Sequence, residues 1–155
     1  MEKTCYLFAG QGSQYPLMGT ELANAFPAAK QVFEAGSDIL GFDLLKACAE
    51  YSAEELARTE ISQPAIMATS LAAYEAAKTL GITADMVAGH SLGEYAAMTA
   101  AGMLTLENAF RVIRERARAM GECAKAQNGA MCAVMGLSAG EIADVCEKAE
   151  GFVIP

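Results

Sequence analysis

Met86-Val87-Ala88-Gly89-His90-Ser91-Leu92-Gly93-Glu94-Tyr95-Ala96-Ala97, near the middle of the 155-residue chain, decides the fold. An apolar run stops at a glycine, a tight turn follows, and helical spacing begins at once. Met86-Val87-Ala88 reads as a short buried strand, and about Leu92 to Ala101 as a helix. Gly89-His90-Ser91-Leu92-Gly93 fits G-x-S-x-G in the setting that pattern requires, strand before and helix after. The glycines let the backbone bend sharply, and the bend lifts Ser91 Oγ to the top of the sheet. A helix starting at Leu92 offers free N–H groups and the positive end of a dipole to a developing oxyanion. Ser91 is the expected nucleophile, and the plainer alternative is a structural turn.

A serine nucleophile needs a base. The single histidine of the chain is His90. Neighbouring residues around such a turn point to different sides, so His90 is expected to be a packed, hydrogen-bonded support. The base is then either a carboxylate, as in a Ser–Asp dyad with Asp43 or Asp85, or a group outside this sequence.

Outward from the turn, short apolar runs alternate with helical patterns. Cys5-Tyr6-Leu7-Phe8 reads as a first buried strand, ended by the glycine loop Gly10-Gln11-Gly12-Ser13-Gln14. Helical spacing runs from about Met18 to Leu40, with a break near Pro27. Asp43 is placed to cap a short helix through Ala49, and Ser52 with Glu55 forms a capping box. Ser62-Gln63-Pro64 is expected to open the next helix, which Gly81 stops after Leu80. Thr105 caps a long helix from Leu106 to Lys125, and Asn128-Gly129 is a turn. Ala130 to Met135 then reads as a strand. Ser138 with Glu141 opens a helix to about Ala149, and Phe152-Val153-Ile154 begins another strand. The alternation predicts an α/β fold on a parallel sheet, with a boundary near Gln127.

Composition narrows the function. The chain is 54% hydrophobic and 19% charged, too apolar for a disordered segment. A net charge of −8 argues against a nucleic-acid binder and against docking on an anionic membrane. The five cysteines are odd in number and lack C-x-x-C spacing, so free thiols are expected, with neither a disulfide framework nor a zinc site. The opening residues lack a signal-peptide pattern, and no apolar run is long enough to span a bilayer. The expected setting is the cytoplasm.

One arginine stands out. At about 100° per residue, Leu106, Ala109, Phe110, Ile113, Ala117 and Met120 share one apolar stripe of the long helix. Arg111, Arg114 and Arg118 fall well away from it. Arg116 lies on its flank and tilts inward. It is either a snorkelling stem or a partly buried cation for a substrate carboxylate.

Gly10-Gln11-Gly12-Ser13-Gln14, then Gly89-His90-Ser91-Leu92-Gly93-Glu94, then Arg116, resemble the malonyl-CoA:acyl carrier protein transacylases and the acyltransferase domains of fatty acid and polyketide synthases. Gly129-Ala130-Met131, leading to Gly136-Leu137, is similar to the start of that family's ferredoxin-like small subdomain. The resemblance covers essentially the whole chain. It implies a hydrolase-like parallel-sheet large subdomain with a nucleophile elbow over residues 1–127. Residues 128–155 would begin an incomplete ferredoxin-like subdomain.

The resemblance also implies roles. Ser91 would take malonyl from coenzyme A, and the backbone N–H groups of Gln11 and Leu92 would form the oxyanion hole. Arg116 would hold the malonyl carboxylate, and Gly89, His90 and Gly93 would support the elbow. A ping-pong reaction would pass malonyl to the phosphopantetheine thiol of acyl carrier protein, in fatty acid biosynthesis. No metal or redox cofactor is implied, the substrate being itself a coenzyme A thioester. Family members are longer, and their catalytic histidine lies in the half beyond this sequence. The implied partners are therefore malonyl-CoA, acyl carrier protein and a C-terminal half carrying that histidine. An inactive fragment or interaction half, and a Ser-dependent acyl hydrolase, are the alternatives. Carrier proteins are acidic as a class, so docking on this acidic chain would need a local patch. Arg111 to Lys125 is the one basic cluster; it reads equally as a solvated helix face, with the patch on the remaining half.

Overall fold

The computed structural model describes residues 3–127, 134–151 and 153–154. Its elements are β1 (Cys5–Phe8), α1 (Thr20–Ala25), α2 (Pro27–Leu40), α3 (Leu44–Glu50), α4 (Ala53–Ala57), α5 (Thr59–Thr79), β2 (Met86–Gly89), α6 (Gly93–Ala100), α7 (Leu106–Gln127) and α8 (Ala139–Lys148). β1 and β2 pair in parallel, Cys5 opposite Met86 and Phe8 opposite Gly89. The α1–α5 segment makes the long crossover that a parallel pair requires. The expected α/β parallel sheet is therefore present.

Short-range chemistry sets most helix ends. Pro27 opens α2, where its missing N–H would be unbonded anyway. Asp43 accepts from Lys46 N–H at 2.8 Å and starts α3. Ser52 and Glu55 form a complete capping box on α4, as do Ser138 and Glu141 on α8. Thr105 Oγ1 accepts from Asn108 N–H at 3.2 Å at the start of α7.

The start of α5 departs from expectation. The helix begins at Thr59, so Pro64 lies inside it, beyond the first turn. Arg58 carbonyl closes the opening turn, accepting from Ile61 N–H at 2.8 Å and Ser62 N–H at 2.7 Å. Ser62 to Ala68 are all buried, and that packing carries the helix through a proline that propensity alone places at its start.

α5 is the central element. Against it α2 buries Ala29, Val32, Phe33 and Gly36, one helical face. From α7, the Phe110 ring lies against Gly36. Phe33, Phe110, Leu44 and Ile113 are fully buried, each stabilising by about 1.5–3 kcal/mol relative to exposure. On one face of the sheet Tyr74 of α5 meets the Tyr6 and Phe8 rings edge-on, with centroids at 5.6 and 6.4 Å. The other face, from Leu7 and Met86, is bare: Leu7 is 79% and Met86 47% exposed.

Two compact units are distinguished, Met1–Cys123 and Ala124–Pro155. In the second, α8 buries none of its residues. The expected Asn128-Gly129 turn, and residues 130–133 of the expected strand, lie outside the described residues. Val134 and Met135 are described and are not strand, nor are Val153 and Ile154. The described cysteines, Cys5, Cys48, Cys123 and Cys146, are free thiols. Among the described residues no helix is long and apolar enough to cross a membrane.

Candidate active site

The turn between β2 and α6 is unusually tight. Ser91 takes φ 52°, a left-handed conformation that a side-chain-bearing residue rarely adopts and that costs on the order of 1–3 kcal/mol. His90 carbonyl accepts from Gly93 N–H at 2.9 Å, and Ser91 carbonyl from Glu94 N–H at 3.1 Å. Two glycines permit the packing. A Cβ on Gly89 would collide with the Gly93 carbonyl group, and one on Gly93 with Phe8 carbonyl. The first turn of α6 thus sits directly on the ends of both strands, leaving Ser91 exposed at their tip.

The Gly10–Gln14 loop lies beside this turn. His90 N–H donates to Phe8 carbonyl at 3.1 Å, and a Cβ on Gly10 would meet His90 Nδ1 at 2.5 Å and its carbonyl oxygen at 2.8 Å. Ser13 Oγ donates to Gly10 carbonyl at 2.7 Å, folding the loop on itself. Among the described residues, neither Gln11 N–H nor Leu92 N–H donates to an acceptor. His90 departs from expectation in one respect. It is exposed, and its ring makes no hydrogen bond among the described residues.

Arg116 reaches the same place from α7. Ala109, Phe110, Ile113 and Ala117 of its helix are buried, and Arg116 on their flank is half-buried. Its Nη2 donates to Ser91 Oγ at 3.1 Å. Its Nη1 is buried and has no partner among the described residues. Its guanidinium carbon lies 5.6 Å from the centroid of the Tyr95 ring. The neighbouring arginines point elsewhere. Arg114 donates to Ile39 carbonyl at 2.9 Å, and Arg118 pairs with Glu115 at 3.1 Å and Glu122 at 2.8 Å. Arg118 first, and Arg114 at 3.4 Å, hold the Glu115 carboxyl below its ordinary range.

Sequence reasoning missed Gln63. It is buried in α5 and its Nε2 donates to Gln11 Oε1 at 3.2 Å and to Met120 Sδ at 3.2 Å. Gln11 Nε2 in turn donates to Thr59 Oγ1 at 3.4 Å. Gln63 Oε1 has no partner among the described residues. The available signal was a polar Ser62-Gln63 pair separated only by Pro64 from the apolar run Ala65-Ile66-Met67.

The two carboxylates considered as a base are engaged elsewhere. Asp43 caps α3. Asp85 accepts from Thr4 N–H at 2.9 Å at the far end of the strand pair from Ser91. Among the described residues only Arg116 hydrogen-bonds Ser91 Oγ, and a guanidinium cannot accept a proton. Nor does any group of three His, Cys, Asp or Glu residues there suit a metal ion. The site therefore offers an exposed hydroxyl and a cation with one buried nitrogen that has no partner among the described residues. That set suits an acyl group ending in an anion.

A parallel-sheet α/β protein with a serine on a strained strand-to-helix turn is the class this geometry defines. The chain belongs to the acyl transferase domain family, which matches residues 5–149. It is 44% identical over 148 residues to the malonyl CoA-acyl carrier protein transacylase of Bacillus subtilis, a match covering 96% of this chain and 47% of that protein. The acyl-carrier-protein-S-malonyltransferase of Bartonella henselae superposes with a TM-score of 0.80 at 35% identity, over 95% of this chain and 48% of the other. A malonyl-transacylase solved in complex with its type II polyketide synthase acyl-carrier protein gives 0.81 at 33% identity, over 95% and 48%. The chain spans about half the length of the relatives it matches.

Proposed function

We propose that this chain is the nucleophile-bearing half of a malonyl-CoA:acyl carrier protein transacylase of fatty acid biosynthesis. The observation that carries the reading is the Arg116–Ser91 contact at 3.1 Å, with Arg116 Nη1 buried and open beside it. A carboxylate one malonyl length from the reacting carbonyl would meet that free edge while Ser91 meets the carbonyl.

In this reading the strand-to-helix turn is a nucleophile elbow. Ser91 Oγ attacks the thioester carbonyl of malonyl-CoA, and its proton passes to a base. The developing oxyanion is held by Gln11 N–H and Leu92 N–H. The C–S bond breaks, the proton goes to the departing sulfur, and coenzyme A leaves as its thiol. Attack by the phosphopantetheine thiol of acyl carrier protein on malonyl-Ser91 reverses the sequence. Acyl exchange changes no oxidation state, so no redox cofactor is called for.

The base is a histidine on the remaining half, on the same polypeptide or on a partner. A general base contributes about 10²–10⁴ in rate, so residues 1–155 alone are slow or inactive. The same half covers the bare Leu7 and Met86 face, since parallel sheets are ordinarily packed on both sides. Residues 128–155 begin its ferredoxin-like subdomain. The setting is cytoplasmic, which accords with the free thiols.

The test supplies the other half. This chain is co-expressed with the part of the Bacillus subtilis relative that lies beyond its match. Malonyl transfer from coenzyme A to holo acyl carrier protein is then followed. Transfer that disappears in Ser91→Ala is expected. A well-formed pair that transfers nothing would overturn the reading.

A further inference from the structure

We propose that Tyr95 is a positioning residue that holds the Arg116 guanidinium in place at Ser91. The inference rests on Arg116 being the carboxylate-binding group. Three observations carry it. Tyr95 lies in the first turn of α6, one turn beyond Ser91, so its half-buried ring is on the Ser91 side of the helix. The guanidinium carbon of Arg116 sits 5.6 Å from that ring's centroid, within the range of a cation–π contact. No carboxylate among the described residues fixes Arg116, unlike Arg118, which Glu115 and Glu122 hold. An acidic partner would compete with an anionic substrate for the same nitrogens. An aromatic ring orients the cation without occupying its hydrogen-bonding edge, so Nη2 reaches Ser91 Oγ and Nη1 stays open. The Tyr95 hydroxyl makes no hydrogen bond among the described residues, so the ring face is what matters and phenylalanine should replace it.

The test compares wild type, Tyr95→Phe and Tyr95→Leu by two readouts. The first, on this chain by itself, is the rate at which phenylglyoxal modifies Arg116, followed by peptide mass. The second, on the pair with the remaining half, is the ratio of malonyl to acetyl acylation of Ser91. Tyr95→Leu is expected to speed Arg116 modification severalfold and to lower the malonyl preference by about tenfold. Tyr95→Phe is expected to restore both. Wild-type values in Tyr95→Leu, or a Tyr95→Phe as impaired as Tyr95→Leu, would overturn the proposal. If the wild-type pair takes no malonyl at all, the proposed function fails, and the phenylglyoxal rates still decide the role of Tyr95.

Discussion

Arg116 Nη2, on α7, donates to Ser91 Oγ, on the turn before α6, at 3.1 Å and across 25 residues of sequence. One guanidinium therefore touches the hydroxyl and keeps a second, buried nitrogen without a partner among the described residues. Leaving a buried donor unbonded ordinarily destabilises a fold, and in the proposed function this nitrogen meets the malonyl carboxylate.

Arg116→Met tests that cost directly. It removes the orphaned donor together with the cation, so folding stability should stay within about 1 kcal/mol of wild type. The malonyl-to-acetyl acylation ratio should fall roughly tenfold to a hundredfold, the worth of a hydrogen bond to a charged group. Thermal melts and paired acylation rates check the two halves. A large drop in stability with an unchanged ratio would make Arg116 structural.

The glycines of the turn act by space, and others act by conformation. A Cβ on Gly93 would strike Phe8 carbonyl, and backbone cannot step aside cheaply. Gly93→Ala should lose about 3 kcal/mol or more in urea unfolding. Gly102 has φ +75° and open space around it, so Gly102→Ala should lose only about 1 kcal/mol. Equal losses would contradict the packing account of the turn.

Legibility tracked the range of the interaction. The G-x-S-x-G turn, both capping boxes, the Asp43 cap and the inward phase of Arg116 depend on residues within a few positions of one another, and all could be read in advance. The start of α5 could not, because the burial of Ser62 to Ala68 overrides a local proline preference. Gln63 was missed because its meaning lies in Gln11, 52 residues away. The His90 ring, which makes no hydrogen bond among the described residues, lies beside Gly10 on the other strand's loop, a neighbour 80 positions away.

Burial pushes the Cys48 thiol up to about 12. At mildly alkaline pH iodoacetamide should label the exposed Cys5 and Cys123 and spare Cys48 until the chain unfolds. Peptide mapping before and after denaturation reads this. Labelling of Cys48 at the same rate as Cys5 would contradict the packing of α3.

The α8 cap should respond to acid. The Ser138 hydroxyl, then its backbone N–H, holds the Glu141 carboxyl below its ordinary 4.5. A carboxyl lowered in the folded state stabilises it above the ordinary value, and that contribution is lost as pH falls through the lowered one. Carboxyl NMR should show Glu141 titrating below 4.5 in wild type and returning toward it in Ser138→Ala. No change on substitution would remove the capping box as the cause. Glu55, held down by the Ser52 backbone N–H and then its hydroxyl, should behave alike in Ser52→Ala.

The central claim is that Ser91 accepts the malonyl group. The most direct measurement is the intact mass of this chain after brief incubation with malonyl-CoA, in the presence of the remaining half, for wild type and Ser91→Ala. The account predicts one malonyl mass added to the wild type, mapped to the peptide bearing Ser91, and none to Ser91→Ala. An adduct that survives in Ser91→Ala, or that maps to another residue, would contradict it.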